Sequence, residues 1–189
     1  MKSAGRSLDP IPVTITHLEM FAPLAHYPPL PLGQNVALLS AQAMPRHFYR
    51  YLMDRVGRQW QWVSMLTLTD GELDAQLAQP NRIITVLYLS GAPAGFFEIA
   101  PLGDGRAELV YFGMMGHATG RGLGRWFLGA AIAAAWSTNP SSVIVQTCTL
   151  DHPAALSLYQ KLGFSPVGQS QGTVQPLTPA QRRTSVMRD

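Results

Sequence analysis

Between Tyr111 and Phe127 the chain reads Tyr-Phe-Gly-Met-Met-Gly-His-Ala-Thr-Gly-Arg-Gly-Leu-Gly-Arg-Trp-Phe, and this stretch limits the fold more than any other. An apolar run from Leu109 to Met115 passes into glycines at 120, 122 and 124, which open directly into a helical pattern. Glycine lets the backbone turn tightly and come close to a ligand, because no Cβ intervenes. A helix that starts immediately afterwards aims its unpaired N–H groups and its positive dipole end at one point. Arg121 and Arg125 add full charge there, so the turn suits a phosphate. The same pattern also serves as a plain strand-to-helix connection with solvated arginines, and this stretch alone does not separate the two readings.

The rest of the chain supplies context. At 189 residues it is long enough for one domain with a real core. Apolar residues make up 47% and charged residues 13%, which excludes a disordered tail and leaves room for an apolar homodimer face. A net charge of +3 is too small to argue for nucleic acid. A single cysteine, Cys148, excludes an internal disulfide and fits a reducing compartment. The N-terminus shows no signal-peptide core, and the longest apolar helix pattern, Leu123 to Trp136, falls short of the roughly 20 residues that span a bilayer. The expected location is the cytoplasm, without a membrane partner. Histidines at 17, 26, 47, 117 and 152 show no paired ligand spacing, so no metal is expected. No Gly-Lys-Ser/Thr follows the glycines, so the loop is not a nucleotide P-loop.

In chain order, residues 1–10 read as a loose lead-in, 11–167 as one domain and 168–189 as a peripheral tail rich in Gln, Ser, Thr and Pro. Val13 to Met20 alternates like a strand, and prolines at 23, 28, 29 and 31 forbid regular structure after it. Helices are expected over Pro45–Val56 and, from the capping box Thr69-Asp-Gly-Glu72, up to Gln79. Arg82–Leu89, Pro93–Ala100 and Arg106–Met114 form an antiparallel meander, turning at Ser90-Gly91 and Gly103-Asp-Gly105. Leu123–Trp136 is a helix apolar nearly all round, and Val143–Thr147 is a short buried strand. Strand, helix and strand here imply a parallel, right-handed crossover. A helix then starts at Asp151-His152-Pro153 and stops at Gly163, with Phe164 opening a last strand. The crossover sets both helix starts at one sheet edge, so Tyr159 stands near the glycine loop. There it serves as a proton donor or as a core tyrosine.

Gly120-Arg-Gly-Leu-Gly124 after a strand, followed by Ala155-Leu-Ser-Leu-Tyr-Gln-Lys-Leu-Gly-Phe164, resembles the paired motifs of the GNAT acyltransferase superfamily over residues 80–166. The resemblance implies an α/β (α+β) fold. Its central mixed sheet has six to seven strands, is flanked by about four helices, and holds a parallel pair splayed at a cofactor slot. It implies acetyl-coenzyme A as co-substrate and a small-molecule or peptide primary amine as acceptor. Carried over, pyrophosphate is held by Gly120, Arg121, Gly122, Leu123, Gly124 and Arg125, the pantetheine arm by Met114 and Met115, with further contacts from His152 and Ala155. Tyr159 matches the tyrosine that protonates the leaving thiolate. Thr119 stands where the family often has Gln or Arg, and Asp151-His152 where it often has Asn.

Amine acylation also needs a base, and two carboxylates on otherwise apolar strands qualify: Glu108 first, by position also like a base glutamate of the family, and Glu98 second. Either also suits solvent or an arginine partner. His117, beside the loop, is a third candidate. Tyr49, Tyr51, Trp60 and Trp62 suggest an aromatic wall suited to an organic cation. The alternative function is a coenzyme A-binding sensor that does not turn over.

Overall fold

Ser90 and Gly91 both adopt positive φ, 51° and 85°, which is the geometry a two-residue hairpin needs to match strand twist. That turn joins β3 (Ile83–Leu89) to β4 (Ala92–Pro101), and β4 returns as β5 (Ala107–Met114), giving the expected meander. The computed structural model describes residues 8–188. Most of the lead-in expected at residues 1–10 lies outside that range, and the strand following it begins at Ile11.

The sheet has seven strands in the order β2-β3-β4-β5-β6-β1-β7, with β1 (Ile11–Met20), β2 (Val36–Ser40), β6 (Val143–Cys148) and β7 (Ser165–Val174). Only β5 and β6 run parallel. Strand β1 is inserted between β6 and β7, antiparallel to both. Six α-helices flank the sheet among the described residues: α1 (Arg46–Gly57), α2 (Ser64–Thr67), α3 (Asp70–Leu77), α4 (Leu123–Trp136), α5 (Ala155–Lys161) and α6 (Pro179–Val186).

Each face of the sheet has its own core. One joins Leu87, Phe97, Ile99, Leu109 and Val145 to α4 and α5. Phe127 of α4 is fully buried there, which contributes about 2 kcal/mol. The other core joins Val86 and Phe96 to Leu52, Val56, Leu66 and Leu73 of α1 to α3. The proline stretch runs over α4. A Cβ on Gly129 would stand 2.7 Å from Pro28, and one on Gly122 would stand 4.0 Å from Pro31.

Three expectations change. Strand β2, pairing with β3, was not read from the sequence. The helix carrying Tyr159 begins at Ala155, after a turn from Asp151. The segment 168–189, expected as a peripheral tail, carries regular structure where described: residues 168–174 complete the edge strand β7 along β1, and α6 follows under a capping box from Thr178 and Gln181. Helix α6 docks on α1 through Arg182, 8% exposed, which pairs at 3.2 Å with Asp54, 2% exposed. Asp54 also pairs with the more exposed Arg58.

Asp54→Ala strands Arg182 without its counter-charge. A loss of roughly 3 kcal/mol is expected, read as a lower urea midpoint at unchanged m-value.

Candidate active site

Strands β5 and β6 are paired at only three positions, Ala107–Val143, Glu108–Ile144 and Leu109–Val145. The register of β5 against β4 shifts between Leu109 and Tyr111, so Val110 is an extra residue and β5 bends there. Beyond it the parallel strands part. The gap is a cavity of about 350 Å³, bounded by Val110 to Met114 on one side, Val145 and Gln146 on the other, and α5. Backbone groups of β5 facing this gap have no neighbouring strand, so an extended ligand arm can pair with them.

At one end the cavity reaches Thr119, Gly120 and Gly124. Gly120 and Gly122 have φ of 74° and 75°, a left-handed conformation that costs other residues about 1 kcal/mol. No side chain caps α4, and no acid stands in its first turn. Its first N–H groups are therefore left for an anion. Arg121 is exposed and donates from Nε to the His117 carbonyl at 3.0 Å, bracing the loop. Arg121, Gly122, Leu123 and Arg125 lie beside the cavity and not in its wall.

Tyr159 stands on the α5 side, edge-on to Phe112 with ring centroids 6.3 Å apart. It is 6% exposed, and its hydroxyl has no hydrogen-bond partner among the described residues. Burial, with the Asp151 charge second, pushes its pKa well up, so the phenol keeps its proton. Met114, His152 and Ala155 line the same cavity. Met115 does not: it is buried on the opposite face, its N–H donates to Ala94 and its carbonyl accepts from Ala118. The expected pantetheine contact at Met115 is therefore blocked, because its backbone is already paired.

The two carboxylates have separated roles. Glu98 is fully buried and paired with Arg82, and its other oxygen accepts a 2.6 Å hydrogen bond from Tyr49. It lines no cavity and has no free oxygen to act as a base, so the second candidate falls away. The same network takes Tyr49 out of any aromatic wall, and Tyr51 stacks on Phe48. Glu108 is half-buried without an ion pair, and accepts from Gln146 Nε2 at 3.3 Å. Burial holds its pKa above the usual carboxylate range, against the opposing field of Arg82. Gln146 lines the cavity, so Glu108 stands one hydrogen bond behind its wall. His117 is exposed in a 3₁₀ turn outside the cavity.

Asp151 joins the two sides of the sheet. Its Oδ2 accepts from Thr147 Oγ1 at 2.9 Å and Cys148 N at 2.8 Å, and its Oδ1 from Trp62 Nε1 at 3.3 Å. Trp62 is cradled by two glycines. A Cβ on Gly57 would collide with it, and one on Gly113 would stand 2.5 Å from Val56 and 3.1 Å from Trp62. Arg82 and Asp151 both matter more than their residue types suggested. Arg82's signal was weak, since an arginine opening a strand is ordinary.

The model of the acetyltransferase (GNAT) family matches residues 44–164. The chain belongs to the GNAT acetyltransferase family. No curated protein matches it in sequence. Among solved structures it is similar to a putative GNAT acetyltransferase from Novosphingobium aromaticivorans, with TM-score 0.57, 14% identity, and 92% of this chain and 67% of that one covered. It is also similar to a GCN5-related N-acetyltransferase from Sphaerobacter thermophilus, with TM-score 0.53, 17% identity and coverages of 88% and 53%. A tandem GNAT protein from the clavulanic acid biosynthesis pathway gives TM-score 0.52, 18% identity and coverages of 87% and 55%. These likenesses concern the fold, and the chain spans about half to two-thirds of the length of these structures. Among the described residues no helix is long and apolar enough to cross a membrane, and no cluster of three metal-ligating side chains occurs.

Gly113→Ala adds a Cβ where Val56 and Trp62 already touch the backbone. It is expected to cost about 2 kcal/mol by overpacking and to shift tryptophan emission, with a Trp62→Phe protein identifying the signal as that of Trp62.

Proposed function

We propose that the chain transfers an acetyl group from acetyl-coenzyme A to a primary amine by direct attack. The observation that carries the reading is Tyr159: a protonated phenol, free of hydrogen bonds, in the wall of a slot whose far end is an uncapped helix start. The α4 N–H groups with Gly120 and Gly124 fit the pyrophosphate, and the unpaired edge of β5 up to Met114 fits the extended arm. His152 and Ala155 border the same arm from α5. Bound in this way, acetyl-coenzyme A supplies the activated acyl group.

The roles follow from position. Glu108 takes a proton from the incoming ammonium. The amine nitrogen then bonds to the thioester carbonyl carbon, the carbon–sulfur bond breaks as the Tyr159 hydroxyl proton passes to sulfur, and the second proton that the nitrogen sheds on becoming an amide restores the phenol. A neutral phenol buried beside the slot suits that donation, and a desolvated carboxylate suits the base.

Tyr159→Phe is expected to lower kcat roughly a hundredfold while leaving thermal stability nearly unchanged, since the hydroxyl has no hydrogen-bond partner among the described residues. Full activity in that variant would remove the proton-donor role. Acetyl-coenzyme A stabilisation without turnover on any amine would favour the sensor.

The pH profile gives a second check. A base works deprotonated, so kcat/KM should rise with pH along a limb displaced above the ordinary 4.5 of a glutamate. Tyr159, pushed up from an ordinary 10.0, should add no descending limb below that value. Loss of the ascending limb in Glu108→Gln identifies the base.

A further inference from the structure

The charges around the cavity do not balance. No lysine or arginine lines it. Arg82 is committed to Glu98, which leaves Glu108 and Asp151 as carboxylates without an ion-pair partner among the described residues. Glu108 has a use in the reaction, as the acceptor of one proton. Asp151 has none, and it is half-buried in the cavity wall.

The surroundings of Asp151 are aromatic. Trp62, whose indole N–H it holds, lies against Tyr111 with ring centroids 5.1 Å apart, and Trp60 meets His152 at 5.2 Å. Trp60, Trp62 and Tyr111 all border the cavity. The residue between the two tryptophans, Gln61, is held at φ 57° and ψ 36°. A non-glycine residue in that left-handed region is strained, by about 1 kcal/mol or more. The chain accepts this strain where it sets two tryptophans at one opening. Aromatic faces with a carboxylate between them favour a cation, above all a poorly hydrated one.

Spacing separates this place from Glu108. Glu108 is level with Ile144, whereas Asp151 is fastened to Thr147 and Cys148 further along β6. At roughly 3.3 Å per residue that is about 13 Å of strand, too far for one nitrogen to serve both carboxylates.

We propose that the acceptor carries a second, non-reacting cationic group, bound between Trp60, Trp62 and Tyr111 against Asp151, while its reacting amine faces Glu108. This rests on the acetyl-transfer reading above, and it makes the acceptor class a diamine or an amine bearing a quaternary ammonium.

The test uses matched pairs: ω-aminoalkyl-trimethylammonium ions with three- to six-carbon spacers, and their tert-butyl isosteres, which have the same shape without the second charge. Calorimetric titration into the coenzyme A-loaded protein reads binding without turnover, and thiol release from acetyl-coenzyme A reads transfer. At least one charged member is expected to bind ten times or more tighter than its isostere. Asp151→Asn, and independently Trp60→Leu, should bring that ratio to about two or below; because it is taken within each variant, general damage cancels. Equal binding of both members to the wild type, or an unchanged ratio in both variants, overturns the proposal. Charged preference without thiol release keeps the cation site and refutes acetyl transfer, whereas transfer to both members at equal rates does the reverse.

Discussion

A parallel pair of strands that stops pairing after three residues leaves a row of backbone N–H and C=O groups facing a gap. Inside a protein such groups need partners. The extra residue at Val110 keeps β6 from reaching them by bending β5 away, and α5 crosses the opening without supplying hydrogen bonds to the strand. The unpaired edge thus becomes the bed for an extended ligand. The other parts are arranged around it: glycines and an uncapped helix start at one end, the Tyr159 phenol on the α5 side, and Asp151 in the wall.

That arrangement depends on holding the sheet rigid from behind. Arg82, Glu98 and Tyr49 form a buried network linking β3, β4 and α1. Arg82 Nε has no partner in it. Such a network adds little net stability, because desolvation offsets the attraction. Its effect is positional: the carboxylate nearest the centre of the sheet is neutralised, and Glu108, one strand over, is left without an ion pair. Burial alone would have selected Glu98. The partner of each carboxylate decides its role, not its depth.

What the sequence made legible was local chemistry. Helix α4 follows from its glycines and its apolar run, the Ser90–Gly91 turn from its residue types, and α3 from Thr69 and Glu72, whose side chains both make the expected capping bonds. Gly120, Gly124 and Tyr159, which line the cavity, were singled out by the same reading. What escaped it was long-range. Strand β2 is five residues long, flanked by Gly33 and Pro45, and takes its form from pairing with β3. Strand β7 is polar on both faces, so no period-two pattern marks it, and β1 alone holds it in place. The assignment of Glu98 depended on an arginine sixteen residues away, just before the neighbouring strand. Helix α6 is a different case: Thr178-Pro179-Ala180-Gln181 is a helix start readable from the sequence, hidden by the polar composition around it.

Asp151 couples the two halves of the site. On the proposed reading coenzyme A lies on the α4 and α5 face, and the acceptor is selected on the opposite face, where α1 and the turn after it present the tryptophans. Few side chains cross between them. Asp151 does so at the point where β6 ends, holding the chain of β6 with one oxygen and Trp62 with the other. A neutral asparagine could make some of these bonds, but it would bring no charge to the acceptor side. It would also lack the field that, after burial, keeps the Tyr159 proton in place. In the proposed reaction a carboxylate here serves both faces, favouring a cation on one and a protonated phenol on the other. Because both effects are electrostatic, they weaken together wherever water enters the cavity. That gives a physical reason for an opening walled by large rings, with Gly57 and Gly113 free of side chains so that Trp62 packs against the backbone.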